Sequence, residues 1–222
     1  MKTSIFFALC ILFSMSSWSQ DTKVPQIGSK APSFTALSTN GTIHFPKDYG
    51  RSWKILFSHP KDFTPVCSSE ILELAYDQKD FDELNTKLVV MSTDVLSLHF
   101  SWKTALESLD YKGRPPVKIN FPIVADTSYA ISRAYGMIHN SESTTHNIRG
   151  VYFIDPDNRI RSIMFYPNEV GRNVEEIKRT LIALQTNYAD NKIVTPANWE
   201  KGDDVLIPVI SQVERENLNH PG

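Results

Sequence analysis

The chain has 222 residues, of which 41% are hydrophobic and 22% charged, with a formal net charge of -2. This is the composition of a soluble globular protein long enough for one domain with a substantial core. There is no basic excess and no charged tail, which excludes a nucleic-acid binder that works by an electropositive surface.

The N-terminus reads as a leader. Lys2 supplies a positive start, Ile5 to Met15 is an apolar run, and Ser17-Trp18-Ser19 puts small residues where a signal peptidase reads. Residues 1–19 are therefore expected to be a secretory signal peptide cleaved before Gln20. The apolar run is too short to span a bilayer, so no stable membrane anchor is expected. Cleavage removes Lys2 and no acid, taking the formal charge to -3, and it removes Cys10, leaving Cys67 as the one cysteine of the mature chain. The protein is expected to be exported, either periplasmic or secreted. Exported proteins usually pair their cysteines, so a lone one points to an intermolecular disulfide or a reactive thiol.

Residues 20–189 alternate strand and helix signals. Runs of β-branched, aliphatic and aromatic residues predict strands at Lys54–Ser58, Lys87–Ser92, Ile123–Ala125, Val151–Ile154 and Ile160–Phe165, with a hairpin turn at Asp155-Pro156-Asp157-Asn158. Spacings of three and four predict helices through Ile71, Leu74, Gln78 and Phe81, through Leu98, Trp102 and Leu106, and through Val174, Ile177, Leu181 and Leu184, with a weaker one through Tyr129, Ser132 and Gly136. That order predicts an α/β domain of thioredoxin-like type, a central mixed sheet flanked by helices. Residues 190–222 hold Pro196, Pro208 and Pro221 with only short apolar pieces, too little to fold alone. They are expected to be a C-terminal extension packed on the main domain or on a second subunit.

The segment from His59 to Glu70 (HPKDFTPVCSSE) carries the chemistry. It follows a predicted strand and opens a predicted helix. Thr64 is a suitable N-cap and Pro65 a suitable first helical residue, which puts Cys67 in the first turn. Free backbone N–H groups and the positive end of the helix favour a thiolate there, the nucleophilic form of cysteine. A buried structural thiol is the common fate of a free cysteine, but the cap, the proline and the export signal argue for a reactive one. Nothing pairs with Cys67 at metal-ligand spacing, so no metal is expected.

Pro60-x-x-x-Thr64-x-x-Cys67 matches the active-site signature of peroxiredoxins, and the string from Phe57 to Cys67 resembles the one-cysteine subfamily in particular. The similarity extends through Phe121-Pro122-Ile123, Tyr166-Pro167, Gly171-Arg172-Asn173 and Thr195-Pro196-Ala197-Asn198-Trp199, and so covers nearly all of residues 25–210. The resemblance implies a thiol-dependent peroxidase acting on hydrogen peroxide and organic hydroperoxides. In it Cys67 is the peroxidatic cysteine, Thr64 holds the peroxide, Pro60 shields the sulfur and Arg149 supplies fixed positive charge. Arg172, His59 and Glu70 are implied as supporting residues. The product is a sulfenic acid, which with no second cysteine must be reduced by an external thiol, either a small molecule or a thioredoxin-like protein. No cofactor is implied, because the cysteine carries the redox change, and a homodimer is expected.

Some one-cysteine relatives also carry a phospholipase site of Ser, His and Asp. The matching positions here are Ser52 and Asp157, with Pro46 at the histidine position and His44 nearby, so the serine lacks its base. A redox sensor or holdase-like binding protein using Cys67 is a further reading, separated from the peroxidase by turnover. A dithiol reductase is disfavoured, since Ser68, Ser69 and Glu70 follow Cys67 and no Cys-x-x-Cys exists.

Overall fold

The structure is a computed structural model that describes residues 24–208. The leader expected over residues 1–19, and Cys10 with it, lies outside the described residues.

Seven strands form one mixed sheet in the order β2-β1-β5-β4-β3-β6-β7. The centre is β3 (Trp53–Ser58), flanked by β4 (Thr86–Ser92) in parallel and by β6 (Arg149–Ile154) antiparallel. All six residues of β3 and all six of β6 are buried. Helices therefore have to cover both faces, and these strands read as continuous rather than alternating apolar runs. β5 (Ile123–Ala125) extends the parallel set beside β4, and β7 (Ile160–Tyr166) closes the other side in an antiparallel pair with β6. The mixed sheet and its helices are those of the thioredoxin-like class predicted from the order of elements.

The sequence reading begins its strands at Lys54 and omits an N-terminal hairpin. β1 (Phe34–Ser38) and β2 (Gly41–Phe45) pair antiparallel around Thr39-Asn40, with Gly41 at φ 90, and β1 joins the sheet through Ser38 opposite Val124. Both strands are short and half exposed, so their apolar content is low. The Asn40-Gly41 step between them was the available turn signal.

Side-chain alternation divides the core. Ile55, Phe57, Val90, Ile123, Val151 and Phe153 face one layer together with Cys67 and the buried positions of α1 (Pro65–Glu83), α2 (Leu96–Leu106) and α4 (Val174–Ala189). Leu56, Val89, Met91, Val124, Tyr152 and Ile154 face the other, under α3 (Ala130–Ala134) and the hairpin. On α2 the buried stripe is His99, Trp102 and Leu106. Leu98, which the spacing put in the stripe, is only partly buried, and a histidine takes the inner position.

The C-terminal segment docks on α4. Trp199 is buried, its carbonyl accepts from Arg179 Nη1 at 2.9 Å, and Val194 and Leu206 form a short antiparallel bridge. Leu206 and Ile207 remain exposed. Among the described residues no helix is long and apolar enough to cross a membrane.

Gly136 joins the start of the described chain to the core. It sits at φ 62, and a Cβ there would lie 2.8 Å from Val24 Cγ2 and 3.0 Å from Val24 Cα. Gly136→Ala is expected to destabilise the protein by about 1–3 kcal/mol, since the backbone conformation and the contact both oppose it. Urea denaturation of the two proteins checks the value.

Candidate active site

Cys67 is the third residue of α1, after Thr64 in extended conformation at the N-cap and Pro65 at the first helical position. The cap position is the one read from the sequence, but Thr64 does not cap with its side chain. Its hydroxyl donates to the Lys61 carbonyl at 3.0 Å, while its own carbonyl accepts from Ser68 N–H at 2.9 Å. The orphan N–H groups that open a helix are therefore not taken by the usual side-chain oxygen. Phe63, just before the cap, is at φ 57 and exposed, whereas Pro60 at the end of β3 is buried.

Two arginines from distant parts of the chain meet above this turn. Arg149, the first residue of β6, donates from Nη1 to Cys67 Sγ at 3.2 Å and to Glu70 Oε2 at 2.8 Å. Its Nε and Nη2 both donate to the Asn168 carbonyl, at 3.1 and 2.7 Å, which holds the guanidinium flat against the β7–α4 loop. Arg172 forks onto the same carboxylate, with Nε to Glu70 Oε1 at 3.0 Å and Nη2 to Oε2 at 2.8 Å. Its backbone N–H also donates to Oε1 at 2.8 Å, and Nη1 reaches the Ser58 and Gly150 carbonyls at 2.9 and 2.8 Å. Cys67, Glu70, Arg149 and Arg172 are all buried. The cluster holds two fixed positive charges and one negative charge, and a thiolate on Cys67 makes it neutral.

The structure thus joins four of the seven residues singled out from the sequence by direct contact. Thr64 and Pro60 shape the loop that leads to them. His59 belongs to a different network from the one expected. Its Nε2 lies 2.8 Å from Asp62 Oδ1, and Asp62 Oδ2 lies 2.6 Å from Nδ1 of His99. Asp62 and His99 were not found from the sequence. His99 continues the three-four spacing to Trp102 and Leu106, but spacing alone cannot tell a buried histidine from an exposed one.

Among the described residues, His59, Asp62 and Asp94 are spaced to hold a metal ion. Each oxygen of Asp62 is already engaged by a histidine ring, and Asp94 Oδ2 accepts from Asp62 N–H at 2.8 Å and from Ser92 Oγ at 3.2 Å. His59 Nε2, both Asp62 oxygens and Asp94 Oδ2 are committed to hydrogen bonds within the fold.

The phospholipase positions fall into three separate groups. Ser52 Oγ donates to Asn85 Oδ1 at 2.8 Å, Asp157 binds Arg51 at 3.3 Å and the Tyr188 hydroxyl at 2.9 Å, and His44 pairs with Asp48 at 3.2 Å. Ser52 has no imidazole against it, so that secondary reading is set aside.

Glu70 gives the cluster a pH dependence. Burial pushes its pKa up, and the guanidiniums of Arg172 and then Arg149 more than reverse this, holding it below the usual carboxylate value. A depressed folded pKa stabilises the fold above the unfolded value of about 4.3, and that stabilisation is lost as pH falls through the folded value. Glu70→Gln is expected to cost about 3–5 kcal/mol near neutral pH, because two buried guanidiniums lose their shared counterion. The gap between variant and wild type should narrow below about pH 4, where Glu70 itself takes up a proton. Urea titrations at neutral and acid pH measure both.

Comparison with known proteins agrees with this geometry. Residues 27–163 match the AhpC/TSA family, and residues 183–218 match the C-terminal domain of 1-Cys peroxiredoxin. The chain is 47% identical over 192 residues to a peroxiredoxin of Methanosarcina mazei, covering 86% of this chain and 87% of that one. Among solved structures, a cysteine-to-serine mutant of peroxiredoxin 6 from Arenicola marina superposes with a TM-score of 0.77 at 33% identity, covering 87% of this chain and 89% of that one. A yeast mitochondrial 1-Cys peroxiredoxin, studied for thiol resolution through the glutathione and thioredoxin systems, gives a TM-score of 0.75 at 37% identity, covering 87% and 92% of the two chains. The chain belongs to the peroxiredoxin family of thiol-dependent peroxidases.

Proposed function

We propose that this protein is an exported one-cysteine peroxidase in which Cys67 attacks the terminal oxygen of a hydroperoxide as a thiolate. The sulfur–oxygen bond forms as the oxygen–oxygen bond breaks, the departing alkoxide or hydroxide takes up a proton, and Cys67 is left as a sulfenic acid. An external thiol, either a small molecule or a thioredoxin-like protein, then attacks that sulfur, releases water and forms a mixed disulfide that a second thiol reduces.

The observation that carries this reading is the 3.2 Å contact from Arg149 Nη1 to Cys67 Sγ. Glu70 answers only one of the two guanidinium charges beside it, so an anionic sulfur completes the cluster. The same N–H can follow negative charge as it moves from sulfur to the leaving oxygen. Thr64 acts as an acceptor in this scheme. Its hydroxyl hydrogen is given to Lys61, which leaves the lone pairs of Oγ1 for the peroxide O–H. Pro60, buried and without an N–H, keeps water from the sulfur. Arg172 and Glu70 act through Arg149 by fixing where its guanidinium can sit.

Export rests on the leader pattern of residues 1–19, which places the mature protein in the periplasm or outside the cell. A homodimer rests on the C-terminal segment, whose Leu206 and Ile207 remain exposed on the single chain. Native mass spectrometry of the secreted or periplasmic protein is expected to give a dimer of chains beginning near Gln20. A monomer, or a chain that keeps Met1 to Ser19, would correct this part of the reading.

Peroxide consumption with dithiothreitol as reductant tests the chemistry. Cys67→Ser is expected to abolish turnover. Arg149→Lys is expected to slow peroxide reduction by about 100-fold, since an ammonium cannot hold Sγ, Glu70 and the Asn168 carbonyl together. A folded wild type that oxidises once and does not turn over would overturn the peroxidase reading.

A further inference from the structure

One buried polar group has no part in the mechanism above. His59 continues the alternation of Trp53, Ile55 and Phe57, which face the layer that contains Cys67. Its ring is fully buried and lies 5.0 Å from that of Trp102, whose Nε1 donates at 3.1 Å to Ser68 Oγ, in the residue after Cys67. Carrying the β3–β6 register two residues past the Phe57–Val151 pair sets His59 opposite Arg149. His59 is thus flanked by two residues that contact the first turn of α1. Its Nε2 is bonded to Asp62, and its Nδ1 has no hydrogen-bond partner.

The proton count follows from the acceptors. His99 Nε2 lies 3.2 Å from the Val124 carbonyl, which can only accept, so Nε2 carries a hydrogen. Burial pushes the Asp62 pKa up, but the hydrogen bonds from His59 and His99 outweigh it and hold the carboxyl ionised. An ionised carboxylate only accepts, so His59 Nε2, which faces Asp62 Oδ1, is a donor. His59 keeps its single proton on Nε2. Burial, against the weaker pull of Asp62, holds its pKa below the usual histidine value, so Nδ1 stays bare.

We propose that Asp62 and His99 are positioning residues that lock His59 as the neutral Nε2–H tautomer, leaving Nδ1 as the base for the reductive half of the cycle. The proposal rests on the reading of Cys67 as recycled by an external thiol. The peroxide step starts from an anionic sulfur and needs no base. The reductive step starts from a neutral thiol and a neutral sulfenic acid, and does need one. In it His59 Nδ1 takes the thiol proton as the sulfur–sulfur bond forms and the sulfur–oxygen bond of Cys67 breaks. The same proton passes to the departing hydroxide, which leaves as water. The incoming thiol is oxidised and the Cys67 sulfur reduced, with no net change in protonation.

Ring ¹⁵N spectra of the reduced full-length mature protein at neutral pH test the tautomers without any substitution in the network, with His59→Gln and His99→Gln used only to assign signals. The expected result is His59 protonated at Nε2 alone. His59 protonated at Nδ1 overturns the proposal. Stopped-flow measurement of the two half-reactions, with hydrogen peroxide and then dithiothreitol, tests the role. Asp62→Asn and His59→Gln are expected to lower the ratio of reductive to oxidative rate by about 100-fold. An unchanged ratio in folded variants reduces the network to a structural one and also overturns the proposal. A wild type that turns over peroxide with His59 in another tautomer defeats this proposal alone, whereas a wild type without turnover defeats the functional reading beneath it.

Discussion

Two guanidiniums and a single carboxylate share the interior above the first turn of α1, and much of the structure is arranged so that they can. Charges are costly to bury unless every donor and lone pair is answered. Here the four contacts on Glu70 come from Arg149, from the Arg172 side chain and from the Arg172 backbone, and further guanidinium hydrogens go to Cys67 Sγ and to the carbonyls of Asn168, Ser58 and Gly150. Meeting that requirement brings the end of β3, the start of β6, the β7–α4 loop and the start of α1 to one place. The sulfur of Cys67 lies within reach of the one guanidinium whose charge is not already balanced.

Topology makes this convergence possible. β3 and β6 are adjacent and antiparallel at the centre of the sheet, so the C-terminal end of β3 meets the N-terminal end of β6. The chain leaves β3 through His59 and Pro60 and enters α1 at Thr64, so the helix begins above the point where Arg149 begins its strand. β7 then returns beside β6 and delivers Asn168 and Arg172 to the same end. A site built this way stands on the edges of rigid elements, which limits how far its groups can drift apart during the reaction.

A second buried network runs beside the first. Asp62 links the β3–α1 loop to α2 through His99, and its backbone N–H is held by Asp94. The two networks share no hydrogen bond, but both bear on the same helical turn, one through Arg149 and the other through Trp102 and Ser68. The first concentrates positive charge at the sulfur. The second ends in the unpartnered Nδ1 of His59. These are suited to different demands, the stabilisation of an anion and the acceptance of a proton.

The sequence by itself determined where in the chain the reactive sulfur lies and what surrounds it locally. Thr64 and Pro65 begin a helix for reasons of backbone geometry that need no other part of the protein, and they put Cys67 in its first turn. The apolar runs of β3, β4 and β6 likewise declared themselves as strands, whereas β1 and β2, short and half exposed, did not. Only the tertiary structure decided which charges meet the sulfur. Arg149 is 82 residues from Cys67, Arg172 is 102 from Glu70, and His99 is 37 from Asp62. Local spacing records which face of an element turns inward. It does not record which buried polar groups from separate elements must pair, because that is settled by strand order, register and the cost of leaving any one of them unanswered.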